Sequence, residues 1–173
     1  ADNSQLFFND MRIFGWMRVA DGQEVARIDR ELGPDVNAPG FTLNYFGEKL
    51  RRRSQPIKLV TMDNAVVSGL GNIYACDTVN LARLSPFRPA KSLSANEVKN
   101  LFEAAKAIIN KGIELGGTTF DGKYLDIHGL AGEYQGAALT YGRENLPCYN
   151  CGGSIKKIKL GGRGTYYCEV CQV

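Results

Sequence analysis

The sequence contains nothing approaching the roughly 18 consecutive apolar residues that a membrane-spanning helix requires. Cysteine is nearly missing from most of the chain, with Cys76 alone before residue 148. A body of that length with one cysteine cannot rest on a disulfide framework, and 173 residues are enough to bury a core without staples. No export signal is present, so reduced thiols and a cytoplasmic setting are expected. Charge of one sign is also lacking. Twenty-one basic and 18 acidic side chains leave a formal +3, which bound thiolates would lower further, so bulk charge identifies no partner. A hydrophobic content of 44% excludes a disordered tail.

What is present is concentrated at the end. Cys148-x2-Cys151-x16-Cys168-x2-Cys171 has the spacing of a tetrahedral zinc site, in which two tight knuckles each turn a pair of thiolates toward one point. Between them Ile155–Leu160 and Thr165–Tyr167 read as strands around the glycine-rich tip Gly161–Gly164, which carries Arg163. Such a hairpin can be a structural cap only. Against that, a guanidinium flanked by glycines has little to pack on, whereas glycines let it approach a phosphate closely. Lys156, Lys157 and Lys159 add positive charge there, and Lys49, Arg51, Arg52, Arg53 and Lys58 form a second basic cluster.

Earlier in the chain, Leu6–Phe8 and Met11–Val19 read as two short strands, followed by a helical piece over Glu24–Leu32 and a linker over Pro34–Gly40. Phe41–Arg53 has helical spacing with its cations in the last turn. Pro56 opens another helix, Ser68–Asn72 interrupts it, and helix resumes from Ile73 to about Leu84. Ser94-x-x-Glu97 is a capping box ahead of an apolar stripe of Val98, Leu101, Phe102, Ala105, Ile108, Ile109 and Ile113. Residues 118–147 are glycine-rich and aperiodic, too long for an ordinary connection and therefore a functional or mobile loop. A helix starting near Asn72 leaves backbone N–H groups of Gly71, Asn72 and Ile73 without intrahelical partners, which makes that end either an anion site or a plain packed corner.

Val67-Ser-Gly-Leu-Gly-Asn-Ile-Tyr-Ala75 resembles the helix-two-turns-helix signature of the formamidopyrimidine-DNA glycosylase and endonuclease VIII family. Asn9–Gly15, Gly116–Thr119, Tyr141–Arg143 and the cysteine hairpin resemble further landmarks of that family's formamidopyrimidine branch, in the same order. The resemblance implies a mainly α protein with a small β zinc-finger. Its parts would be the last strands of a β-sandwich (1–20), a helix-two-turns-helix domain (34–120), a lesion-capping loop region (118–147) and a zinc finger (146–173). It implies one structural zinc ion on Cys148, Cys151, Cys168 and Cys171. It also implies a DNA-binding set of Asn72, Arg163, Arg12, Phe14, Gly71 and Lys157, with Thr118, Thr119 and Tyr124 in the lesion loop. Asn72 and Arg163 would pinch the phosphate beside a flipped nucleotide, while Arg12 and Phe14 would fill the space left behind.

Several positions depart from the family pattern: Met11 and Ile13 in the first loop, Ala65 where a lysine is usual, and Cys76 where an acidic or small residue is common. The family's catalytic Pro-Glu pair, whose secondary amine attacks C1′, is absent. The six prolines lie at 34, 39, 56, 86, 89 and 147. The expectation is therefore a DNA-holding half of a bifunctional glycosylase and AP lyase for oxidised purines. This chain itself would bind double-stranded damaged DNA as a monomer without cutting it. The rivals are a free-standing zinc-dependent DNA-binding or regulatory module and a zinc-ribbon protein-interaction domain.

Overall fold

Capping chemistry and apolar spacing set the helices, and a computed structural model shows where each begins; it describes residues 4–8, 10, 14–119, 125 and 128–173. Two units, 1–31 and 32–173, are compact in themselves. In the first, α1 spans Gly22–Glu31. It starts earlier than its periodicity predicts because the Asp21 carboxylate accepts the Glu24 N–H at 2.8 Å. The two strands expected before it are not formed among the described residues of 4–20. A strand exists only as half of a ladder, and no described segment there supplies the other half.

In the second unit the expected linker is part of the packed body. Val36 is buried, Ser68 N–H donates to the Pro34 carbonyl at 3.0 Å, and Gly33 lies so close to the Val66 backbone that an added Cβ would stand 2.5 Å from it. Helix α2 covers Leu43–Arg51, capped by Thr42, whose side chain accepts the Tyr45 N–H at 3.1 Å. Then come α3 (Ile57–Val60) and α4 (Asn72–Leu81). Helix α5 runs Ala95–Glu114 behind the Ser94/Glu97 capping box. Phe41, Phe46, Leu50, Ile57, Val66, Val67, Val79 and Leu101 belong to one buried cluster between these helices, and the Phe41 ring lies 5.0 Å from both Phe46 and Phe102. The stripe on α5 is narrower than its sequence suggests. Val98, Leu101, Ala105 and Ile108 are buried, whereas Ile113 is 67% exposed, past the end of the packed interface.

A one-turn helix, α6 (Tyr134–Ala137), interrupts the long loop. The chain ends in an antiparallel pair, β1 (Ile155–Leu160) and β2 (Arg163–Cys168), with Leu160 opposite Arg163 and Ile155 opposite Cys168. The turn is only Gly161–Gly162, both at positive φ, so Arg163 is the first residue of β2 and not part of a loose tip. Among the described residues no helix is long and apolar enough to cross a membrane.

Candidate nucleic-acid interface

The four cysteine sulfurs lie within 4.8 Å of one another. The Cys148–Cys171 separation is 3.6 Å and Cys151–Cys168 is 3.4 Å. Bonds of ~2.3 Å to a central ion in tetrahedral geometry place sulfurs about 3.8 Å apart, so the set fits zinc with small adjustment. Its ionisation chemistry agrees. Burial opposes the Cys168 thiolate, but backbone N–H donors of Cys171 and Val170 and the adjacent thiols bring its pKa down to about 7. Cys171 is pushed up by burial and then by the thiols around it. Thiolates crowded this closely need a cation among them. When bound, the ion would tie the two knuckles together; Ile155 and Cys168, at the ends of the hairpin, are both buried.

Helix α4 packs against β2, and this brings the helix start to the hairpin. Gly71 is the N-cap, with extended backbone and no side-chain cap. Its own N–H turns back to the Gly69 carbonyl at 3.3 Å, so it is not one of the outward donors that its position suggests. The first intrahelical bond is Ala75 N–H to Gly71 C=O at 2.9 Å. The N–H groups of Asn72, Ile73 and Tyr74 precede it and form the positive end of the helix. Asn72 Nδ2 donates to the Gly164 carbonyl at 3.0 Å, one residue beyond Arg163. Asn72, Arg163, Gly69, Gly71, Met62 and Asn64 line one surface recess of ≈ 390 Å³. The helix end and the arginine therefore address a single small volume, which suits a phosphate group.

Lys58 is the residue that sequence reading misplaced. Counted with the exposed basic cluster, it is fully buried, and its ammonium donates to Asn72 Oδ1. Burial lowers its pKa, opposed by the nearby Cys76 thiol and reinforced by the Arg163 charge. It fixes the Asn72 amide: with Oδ1 held by a pure donor, Nδ2 must face Gly164. The signal was available in Ile57-Lys58-Leu59-Val60, a lone cation on an otherwise apolar helix turn. Elsewhere in that cluster Arg53 pairs with Asp63 at 3.3 Å, and Arg51 and Arg52 are exposed.

The other expected positions divide. Lys157 stands on β1 opposite Tyr166, with its ammonium 5.3 Å from that ring and 3.6 Å from Glu144. Tyr166 and Glu144 raise its pKa, which keeps it charged but partly neutralised. Phe14 is 77% exposed, and its N–H donates to Asp10 Oδ2 at 2.8 Å; Arg12 and Tyr124 lie outside the described residues. Thr118 lines a second recess with Gly71, Asn72 and Ile73. Thr119 belongs to the neck of the long loop: its hydroxyl accepts Gly132 N–H, and its N–H donates to Gln135 Oε1, both at 3.0 Å. The loop's far side is fastened by a residue with no signal of its own in the sequence. Buried Asp77 on α4 accepts from Tyr134 Oη, Leu139 N–H, Thr140 N–H and Thr140 Oγ1 at 2.8–2.9 Å. The same helix thus holds the hairpin and the base of the loop.

A helix-two-turns-helix domain joined to a four-cysteine finger, with a helix end and an arginine facing one recess, defines a class of nucleic-acid-handling proteins. Two family profiles place the chain within it. "Formamidopyrimidine-DNA glycosylase H2TH domain" matches residues 32–123, and "Zinc finger found in FPG and IleRS" matches residues 145–173. The chain belongs to the formamidopyrimidine-DNA glycosylase family and carries its zinc finger. It is 40% identical to the formamidopyrimidine-DNA glycosylase of Listeria innocua, over 99% of this chain and 63% of that protein. To the Herpetosiphon aurantiacus enzyme it is 41% identical, over 97% and 61%. Among solved structures it is similar to MutM (Fpg) of Thermus thermophilus, with a TM-score of 0.81 and 38% identity over 90% of this chain and 58% of that one. Lactococcus lactis Fpg in complex with DNA containing an abasic site gives a TM-score of 0.78 and 32% identity over 87% and 55%. The chain thus spans less than two thirds of the length of these relatives.

Proposed function

We propose that residues 32–173 form the DNA-gripping part of a glycosylase that removes oxidised purines and nicks the resulting abasic strand. The observation that carries this reading is the shared recess of Asn72 and Arg163. Solved relatives hold DNA with an abasic site or with a carbocyclic 8-oxo-G, and duplex DNA of that kind is the proposed ligand here. One phosphate is received by Asn72 and the α4 N-terminus from one side and by Arg163 from the other. Held from two sides, the backbone kinks, which lowers the cost of turning a damaged nucleotide out of the stack. Lys58 keeps the Asn72 amide in the orientation that meets the hairpin. Arg12 and Phe14 are assigned to the vacated space, and Thr118, Thr119 and Tyr124 to the loop over the extruded base. The polypeptide 1–173 acts as a monomer that binds without cleaving.

Equilibrium binding to a duplex with one abasic-site analogue tests this. Arg163→Ala is expected to weaken binding about ten- to a hundredfold and to reduce the salt dependence by about one released counterion. Binding and salt slope unchanged in that variant would remove the phosphate grip, and a borohydride-trapped covalent adduct with 1–173 would overturn binding without cleavage.

A further inference from the structure

Helix α4 meets the zinc finger at both of its ends. At the first turn the contact is Asn72 Nδ2 to Gly164 C=O, in the recess already described. At the last turn it is Asn80 Nδ2 to Gln172 Oε1, at 2.8 Å. Both members of this second pair are buried, Asn80 at 2% exposure and Gln172 at 4%. Gln172 directly follows the ligand Cys171, and its amide is fully engaged. Oε1 also accepts the N–H of Cys168 at 2.8 Å, and Nε2 donates to the Leu84 carbonyl at 2.9 Å. The chain beyond it is tied down as well, with Ser85 N–H donating to Val173 C=O at 3.0 Å.

The two contacts stand about 12 Å apart along the helix axis. A single contact would let the hairpin pivot about the helix, whereas two at that separation fix its angle. Directional bonds between buried amides set that angle more narrowly than apolar packing, which tolerates sliding, and a mismatch leaves polar groups unpaired in a low-dielectric interior. We infer that Asn80 and Gln172 are a positioning pair: they set the angle of the finger on α4 and so hold Arg163 over the recess beside Asn72. Because Gln172 grips the N–H of a cysteine ligand, folding of the metal knuckle is transmitted through it to the helix. The inference rests on the phosphate-gripping reading of Arg163.

The test compares variants of the zinc-loaded protein on the abasic-site duplex across a salt series. Asn80→Ala and Gln172→Ala are each expected to retain one zinc per chain, to lose about tenfold in affinity, and to show a salt slope shallower by about one. Arg163→Ala added to Asn80→Ala is expected to cost little more, because the arginine has already left its phosphate. Should either alanine variant fold poorly, Asn80→Leu combined with Gln172→Met keeps the packed volume without the amides, and the same slope change is expected. A role in packing alone would lower the melting temperature and leave the salt slope untouched, which overturns the inference. Full additivity with Arg163→Ala, or loss of zinc in both variants, does the same. If Arg163→Ala is silent in the otherwise unchanged protein, the phosphate grip itself has failed; if it is strong while Asn80→Ala is silent, only the positioning pair has.

Discussion

Phe46, Leu50, Ile57, Val79 and Leu101 are drawn from α2, α3, α4 and α5 into one buried cluster, whereas the finger's own cluster consists of Cys148, Ile155 and Cys168. The helical body is ordered by apolar burial, at roughly 25 cal/mol per Å² removed from water. A hairpin with one aliphatic residue inside cannot collect enough of that to offset the entropy of ordering its backbone, and metal ligation makes up the difference. The comparison teaches why one recess is built from both: the helix supplies a fixed dipole and the finger supplies a charged arm that must reach out from very little core.

Removing the metal separates the two regions most sharply. Zinc ligation in such fingers carries about 10–16 kcal/mol of apparent binding energy, so chelation is expected to abolish amide-exchange protection across Ile155–Cys168. The helical circular dichroism of α2–α5 is expected to persist, and binding to the abasic duplex is expected to fall with the finger. Collapse of the helical signal together with the zinc would show that the two regions are one cooperative unit. The converse perturbation is smaller. Leu101→Ala, at a fully buried position, should cost the helical body about 2–5 kcal/mol, read as a lower denaturant midpoint, while zinc stoichiometry stays at one. An unchanged midpoint would mean that the cluster is not what holds α5.

The smallest effect sharpens the picture of α5 alone. Arg88, then the Ser94 N–H, hold the Glu97 carboxyl down to about 2. An unfolded glutamate titrates near ~4.3, so the bond contributes fully above that pH and is lost as pH falls through about 2. Glu97→Gln is expected to cost about 1 kcal/mol at neutral pH and to flatten the acid limb of stability between those values. A limb as steep as before would assign it to other carboxylates.

Legibility differed along the chain for physical reasons. The Cys-x-x-Cys knuckles, the Ser94/Glu97 box and the Gly69–Asn72 corner are local devices, in which a few adjacent residues dictate backbone geometry, and each formed where expected. Lys58 and the segment 34–40 were misjudged because burial is decided by what arrives from elsewhere: Ser68 on the Pro34 carbonyl beside buried Val36, and Asn72 and Cys76 beside Lys58. Asp77, Asn80 and Gln172 gave no sequence signal at all. A polar residue on a helix reads as solvated until its partners, here 57 to 92 positions away, are known.

The sequence by itself determined that this chain carries a four-cysteine finger, a glycine-rich corner opening a helix, and the order of motifs shared with the glycosylase family, because ligand spacing, caps and turns act over a few neighbouring residues. Only the tertiary structure decided that Arg163 and Asn72 face one recess, that Lys58 sets the Asn72 amide, and that α4 grips the finger at both ends. Those relations depend on the angle between two packed elements, and that angle is fixed by directional bonds between residues far apart in the chain.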